Sequence, residues 1–572
     1  MEGEGKEGSP SMKKRVARYG IIVGFMAMFS LYAAALPSFW DNLPEDQLVE
    51  DIVSHMTDEE LLGQVFFLGY IGKDPSNYIK KWIVQRNLGG VKIFSRNIDD
   101  LTTLSKGIYD IQNLAVTRRL GIPLLVSTDQ EGGWVRHISG EVIKVPGNLA
   151  LGASTVINDS FLTGYYIGIE LAILGINMNF APTVDVYWNP YNTGIGPRSF
   201  SSDPLRTGLC ALAYYRGMKK AGIICTAKHF PGHGGTRKDS HGYLPEVNAS
   251  LDDMWERDFI PYRFLIQEQI PAIMSGHIAF PKITGKDIPA TSSYFFLTEI
   301  LRKKLNFRGI VITDDLEMYG ARKGGEDIPD VSKKAFLAGS DMVLISHTPS
   351  KQEKAWKYLC KLIKTDRLFK ARVIEAAKRV VSVKLASFKG GKPSPIFPDY
   401  EHAVEKILQI QEAESKEAVF QSACRSVTVI KKKMIPYKPA KNEKVVIISQ
   451  YEGFINVGLK RFPQSSFYEY SYYPSEWSLK KERETIGNLV KQHDTVIFHL
   501  VNYNSFEVLE SIKKYKKNIL VVSSLTPVYL RKAPWVHTAI AVYGTGEDSY
   551  KAGFAVLSGD YKAQGIMPLT FE

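Results

Sequence analysis

Cysteine is scarce: Cys210, Cys225, Cys360 and Cys424 are the only four in 572 residues, with no C-x-x-C pair and no Cys/His ligand spacing. That scarcity excludes a disulfide framework and a cysteine-built zinc site, and the thiols read as free and mostly buried. Blocks of like charge are also missing. The formal net charge of +12 is spread along the chain without a run of five or six like charges, which argues against a nucleic-acid partner. There is no internal repeat and no low-complexity tract, so solenoids and bulk disorder are excluded as well. What is present is ordinary globular material, 44% hydrophobic and 23% charged, in a chain long enough for a barrel of about 250 residues and a second domain.

One apolar stretch stands apart. Lys13, Lys14, Arg15 and Arg18 precede an apolar run over 21–31, and Ala33-Ala34-Ala35 follows. This is the layout of a secretory signal with a small-residue cleavage site, predicting export to the periplasm, cell envelope or medium and a mature chain beginning near Leu36. Retention of the segment would instead anchor the protein to a membrane through 19–36.

Beyond it, Thr57-Asp58-Glu59-Glu60 reads as a capping box that starts a helix. Short β-branched runs then alternate with amphipathic stretches, the pattern of a parallel sheet with helical crossovers. Eight strands are expected, over 66–70, 90–94, 123–129, 177–186, 222–229, 271–280, 309–315 and 342–347. A doubly wound sheet gives the same local signals. The barrel is favoured because ionisable residues gather at the strand ends, namely Asp129, Asp185, Lys228 with His229, His277, Asp314 and His347. The expectation is an α/β protein: a (β/α)8 barrel over 37–388, a Gly/Pro-rich hinge and connecting helix over 389–435, and a smaller α/β sandwich over 436–572.

Two segments carry chemistry. Lys228-His229-Phe230-Pro231-Gly232-His233-Gly234-Gly235 leaves a strand for a Gly-rich loop, and Asp239-Ser240-His241 follows. His229 and His233 are four apart, but Pro231-Gly232 breaks any helix that would align their rings on a metal. Asp239 can accept a hydrogen bond from one ring nitrogen of His241 and fix the tautomer presenting the other, giving a proton-transfer dyad; an ordinary Asx-type loop bond is the bland reading. In Val311-Ile312-Thr313-Asp314-Asp315, an apolar strand ends in adjacent carboxylates, costly unless each has its own partner. Strand geometry turns them to opposite sides, so that one can face a pocket while the other braces a neighbouring loop. A helix N-cap is the bland reading for either.

Together K-H-F-P-G-H-G, D-S-H and I-T-D-D-L-x-M resemble the β-N-acetylglucosaminidase branch of family 3 glycoside hydrolases. Asp129-Gln130-Glu131-Gly132-Gly133 is similar to that family's D-Q-E-G-G, and Arg198-Ser199-Phe200 with Asp203-Pro204 to its R-S-F-x-x-D-P. The resemblance implies a retaining exo-glycosidase acting on terminal β-linked N-acetylglucosamine, in peptidoglycan fragments or chitin oligomers, with no cofactor and no metal. It implies Asp314 as nucleophile, His241 as acid/base, Asp239 as its orienting partner, and Asp129, Arg198, Lys228 and His229 as sugar-binding positions. Where the family has an arginine eight residues after the first aspartate of D-Q-E-G-G, this chain has His137, with Arg136 one place earlier. A family 3 β-glucosidase, a phosphorylase favoured by a neutral imidazole in place of a carboxylate, and an envelope glycan-binding protein without turnover are the competing readings.

Overall fold

The computed structural model describes residues 36–237, 242–390 and 394–570; the expected export segment, Asp239 and His241 lie outside them. Eight parallel strands close into a barrel in chain order: β1 (Phe66–Gly69), β2 (Gly90–Lys92), β3 (Leu125–Thr128), β4 (Met178–Asn179), β5 (Ile224–Phe230), β6 (Ala272–Ser275), β7 (Ile310–Asp315) and β8 (Met342–Ile345). β8 returns to β1 with Phe66 opposite Val343, leaving no free edge. The strands read as continuous apolar runs because one face fills the barrel and the other meets the surrounding helices; all four residues of β8 are buried. The capping box is formed: the Thr57 side chain accepts from the Glu60 amide while Glu60 reaches back to the Thr57 amide.

All eight expected stretches contribute a strand, but the fourth is far shorter than 177–186. Pro182 has no N–H to offer, and asparagine side chains take over the backbone pairing around it. Asn177 Oδ1 accepts from the Val126 amide at 2.8 Å, and Asn179 exchanges two bonds of 2.9 Å with the Gln130 backbone. Regular pairing therefore stops at Asn179, and only a bridge between Thr183 and Lys228 follows. The freed chain, 180–198, becomes a long loop over the barrel mouth.

Helices Arg367–Phe388, Ala403–Ile410 and Lys416–Ser426 lead to a six-stranded sheet. Its strands are β9 (Thr428–Lys432), β10 (Val445–Ser449), β11 (Ser466–Glu469), β12 (Thr495–Leu500), β13 (Asn518–Ser524) and β14 (Thr538–Tyr543), in the order β9-β14-β13-β12-β10-β11. β9 falls within the stretch expected to be hinge and helix, and runs antiparallel to β14; the other pairings are parallel. Ile447, Ile497, Leu520 and Ile540 enter one apolar layer, whereas Val446, Val496, Phe498 and Val521 enter the other. Period-two alternation with both faces apolar is what a sheet covered by helices on two sides requires.

The second domain is fastened to the barrel by specific polar contacts. The Arg425 guanidinium grips the Asp159 carboxylate through two nitrogens, at 2.5 and 3.0 Å, and Ser201 Oγ donates to the Pro568 carbonyl at 2.6 Å. Thr526, just past β13, stands 3.5 Å from the hydroxyl of Tyr187 on the mouth loop. Among the described residues, no helix is long and apolar enough to cross a membrane.

Candidate active site

The carboxyl ends of β2, β3, β5 and β7 converge on a charged cage. Asp129, immediately after β3, takes Lys92 Nζ from the end of β2 at 2.7 Å and Lys228 Nζ from β5 at 2.5 Å. Lys228 also reaches Glu131 at 2.7 Å, and Glu131 in turn binds Arg198 through Nε at 2.9 Å and Nη2 at 2.6 Å. Three cations thus hold two carboxylates, and each carboxylate is shared by two of them. Burial alone would raise the acids, but Lys228 and Lys92, with His137 beside them, hold Asp129 well below the usual carboxylate range. Glu131 is brought down to about 2 in the same contest between burial and Arg198 with Lys228. Burial works against the Lys228 ammonium, but Asp129 and Glu131 raise its pKa above the usual value. The cage stays fully ionised at neutral pH.

The loop between Asp129 and Arg136 folds into a small hairpin, which Gly133 permits. Its φ is +61°, and a Cβ there would stand 2.7 Å from the Gly147 Cα. The hairpin turns the two residues near the family's arginine position to different surroundings. His137 turns its Nε2 toward Asp129 Oδ2 at 3.6 Å, while Arg136 lies in the field of Tyr451 from the second domain.

On the opposite wall, Asp185 organises the Gly-rich loop after β5. Its carboxylate takes His229 Nδ1 at 2.8 Å and the His233 amide at 2.6 Å. His229 thereby presents Nε2 inward, 3.4 Å from Arg198. His233 instead engages Thr236 at 2.8 Å through Nδ1, and its ring lies edge-on to that of His229 with centroids 5.6 Å apart. Burial and the neighbouring His229 push His233 down to about 4. Gly234 lets this loop close on the mouth loop, since a Cβ there would fall 1.7 Å from the Val186 carbonyl.

Asp314 and Asp315 divide as their alternation on β7 predicts. Asp315 is buried, accepts from the Glu317 amide at 3.0 Å and meets His347 Nε2 at 3.1 Å on the loop after β8. Asp314 is the more exposed of the two. Burial would raise its carboxyl, yet His277, His229 and Lys92 around it bring the pKa below that of an ordinary aspartate. His277 is held by Thr291 through Nδ1 at 2.9 Å and by the Asp315 carbonyl through Nε2 at 3.0 Å.

The structure therefore brings Asp129, Arg198, Lys228, His229 and Asp314 to one rim, whereas Asp239 and His241 lie outside the described residues. Lys92 and Glu131 join them, although neither was singled out as a site residue in the sequence. A signal existed for Lys92: a lysine inside the apolar run Gly90-Val91-Lys92-Ile93 must find a buried anion.

Residues 56–383, which contain the whole barrel, match the family model described as the glycosyl hydrolase family 3 N terminal domain. The chain belongs to glycosyl hydrolase family 3. It is 33% identical over 321 residues to beta-hexosaminidase A of Pseudoalteromonas piscicida, an alignment covering 51% of this chain and 54% of that protein. The chain thus spans about half the length of that relative. It is 32% identical over 277 residues to a beta-hexosaminidase of Neisseria gonorrhoeae, covering 47% of this chain and 74% of the other. Among solved structures, a glycoside hydrolase family 3 beta-N-acetylglucosaminidase from Paenibacillus sp. str. FPU-7 superposes with a TM-score of 0.80 at 27% identity. That superposition covers 90% of this chain and 99% of the other, so the likeness extends over both domains.

Proposed function

We propose that this protein is a retaining exo-β-N-acetylhexosaminidase that removes terminal β-linked N-acetylglucosamine from oligosaccharides. The observation that carries the reading is Asp314: a carboxylate at the carboxyl rim of the barrel, kept ionised by His277, His229 and Lys92, beside a rigid cage of hydrogen-bonding groups. An ionised, partly exposed carboxylate can attack an anomeric carbon and form a glycosyl-enzyme, the step that defines retention. Asp129, Arg198, Lys228 and His229 offer directional donors and acceptors for the hydroxyls of one terminal ring. His241 serves as acid/base, with Asp239 orienting it. The names of the relatives, hexosaminidases and an N-acetylglucosaminidase, support the choice of sugar.

The test is turnover of an aryl β-N-acetylglucosaminide compared with the matching β-glucoside, with and without phosphate, and proton NMR of the first-formed anomer. The expected product is free β-N-acetylglucosamine, formed independently of phosphate. A glycosyl phosphate would make the protein a phosphorylase, preference for the glucoside would make it a glucosidase, and an initial α-anomer would remove Asp314 as nucleophile.

A further inference from the structure

The positive charge of the chain is unevenly placed. Residues 428–570, a quarter of the length, hold 20 lysines and arginines against 12 aspartates and glutamates, and so carry two thirds of the excess of +12. No run of like charge shows this in the sequence, because the lysines come together only when the second sheet forms.

Register gathers them at one end of that sheet. Lys432 closes β9 opposite Thr538, the first residue of β14. Thr538 aligns with Leu520 of β13, Asn518 with Thr495 at the start of β12, and Thr495 with Val445 at the start of β10. The carboxyl end of antiparallel β9 therefore lies beside the amino ends of β14, β13, β12 and β10, a front about 20 Å across at about 4.8 Å per strand. The loop over 433–444 crosses this front. At one side the Lys433 amide donates to the His537 carbonyl at 3.2 Å, and at the other the Lys444 carbonyl accepts from the Asp494 amide at 2.8 Å.

Lys433, Lys438, Lys441 and Lys444 stand exposed on that loop, and Lys513, Lys514 and Lys516 on the turn before β13. Among the described residues, none of these lysines forms an ion pair. Lysines on the barrel surface are placed differently: Lys106 lies 2.8 Å from Asp110, and Lys303 2.7 Å from Glu299. The carboxylates at the basic end are engaged locally. Glu443 accepts from the Ala440 amide and the Tyr437 hydroxyl, each at 2.9 Å, and Asp494 from the Lys444 amide at 2.9 Å. Glu510 takes the Trp535 indole at 2.6 Å, and Asp560 pairs with Arg461. Unpaired cations gathered in this way repel one another, and an anionic partner relieves that repulsion.

The chemistry of the front narrows the partner. Its aromatic faces, which could otherwise stack on a base or a sugar, are covered by cations. Lys491 and Lys514 stand over the Tyr515 ring at 5.5 and 5.2 Å, and Lys513 over Trp535 at 5.9 Å. Lysine is a point charge without the planar fork by which arginine grips a single phosphate or carboxylate. Point charges spread over about 20 Å suit a flat, diffuse array of anions, and a bilayer containing anionic phospholipid is such an array. The carboxyl ends of the same strands face the barrel, where Tyr529 meets Thr193 of the mouth loop. The basic end is thus the far side of the domain from the active site.

We propose that the amino end of the second sheet is a docking surface for an anionic phospholipid bilayer, which it meets through the lysines of the 433–444 loop and of the turn before β13. Docked in this way, the second domain holds the barrel mouth off the bilayer by at least the length of β13, seven residues or about 20 Å.

The test is co-sedimentation of the full chain with vesicles of phosphatidylcholine, either alone or with about a third of phosphatidylglycerol, at low and high salt. The wild type is compared with Lys438→Gln/Lys441→Gln/Lys513→Gln/Lys514→Gln. A control, Lys106→Gln/Lys303→Gln/Lys334→Gln/Lys364→Gln, loses the same charge from the barrel. The basic residues within 13–18 are present in all three proteins, so their contribution cancels in the comparison. The wild type should partition onto the anionic vesicles about tenfold more strongly than onto the neutral ones, an excess that falls as salt rises. The control should keep that excess and the second-domain variant should lose most of it. Equal partition of the wild type onto both vesicles, or the same excess in the two variants, would overturn the proposal. So would tighter binding to long-chain polyphosphate than to the vesicles at equal phosphate, which would make the partner a soluble polyanion. If the four-site variant melts below the wild type, Lys438→Gln/Lys441→Gln on the exposed loop replaces it, and about half of the excess should remain; an undiminished excess then rejects the surface.

Discussion

Lys92 Nζ lies 2.7 Å from Asp129 Oδ2, reaching across from the neighbouring barrel strand into a carboxylate that Lys228 already holds. Removing it leaves Asp129 with one strong partner where it had two, so the carboxylate is free to rotate toward Lys228. A hydrogen bond to a charged group is worth about 1.5–3 kcal/mol. Lys92→Met should therefore lower kcat/KM on N-acetylglucosaminides by about ten- to a hundredfold without a loss of fold. Steady-state kinetics with a melting curve for the variant check this; unchanged kcat/KM would place Lys92 outside the binding cage.

The same substitution should move the acid limb of the pH profile. Burial raises the Asp314 carboxyl, and Lys92 is among the charges that overcome burial and lower it. A nucleophile with a depressed pKa remains ionised as pH falls, so the wild-type limb of kcat/KM should lie below the value of about 3.9 for an ordinary aspartate. Without Lys92 the limb should shift upward. Profiles of both proteins on one aryl substrate test the sign, and a downward shift would contradict it.

Asp314 and Asp315 should separate cleanly under substitution. Loss of a carboxylate nucleophile costs several kcal/mol of transition-state stabilisation, so Asp314→Ala should retain less than about one per cent of wild-type turnover. Asp315→Ala should retain more activity and lose stability instead, because it releases His347 and the Glu317 amide. Turnover and melting temperature measured together distinguish the two, and a reversal of the pattern would exchange their roles.

Much of this is legible in the sequence. The eight strands announced themselves as apolar runs because each is buried on both faces, and adjacent Asp314 and Asp315 stood out because like charges need separate partners. What was not legible depended on partners distant in sequence. Asn177 and Asn179 replace the ladder that Pro182 breaks, which shortens β4 and frees the mouth loop. Glu131 belongs to the D-Q-E-G-G motif, but its part in the cage depends on Arg198 and Lys228, which lie far from it in sequence. Nor does any periodicity encode where Tyr529 of the second domain comes to rest against Thr193 of the mouth loop.

Glu170 makes stability fall as pH rises. Its buried carboxyl accepts from the Ile143 amide and from Gln411 without a cation, and burial pushes it up to about 7. Between the unfolded value near 4.5 and the folded value, the native state binds the extra proton, so stability is lost progressively across that window. Glu170→Gln keeps both acceptor contacts and removes the titration. The variant should match the wild type near pH 5 and exceed it near pH 8, by an amount on the order of 1–3 kcal/mol. Denaturant melts at the two pH values test this; an offset that does not depend on pH would mean that packing, not ionisation, is responsible.

The proton that leaves with the aglycone provides the sharpest test of His241. A general acid matters in proportion to how badly the departing oxygen needs a proton, so its removal should weigh heavily on poor leaving groups and lightly on good ones. With a sugar alcohol as leaving group, His241→Ala should slow glycosylation by about two to four orders of magnitude. With an activated nitrophenolate, whose anion is already stable, the loss in that step should be much smaller. Asp239→Asn should follow the same trend at reduced size, because it leaves the imidazole in place but without the partner that orients it. The measurement is pre-steady-state glycosylation across a series of leaving groups, which isolates the first chemical step from deglycosylation. A loss of equal size on every leaving group would mean that His241 binds sugar or supports its loop, and the proton donor would have to be sought elsewhere on the rim.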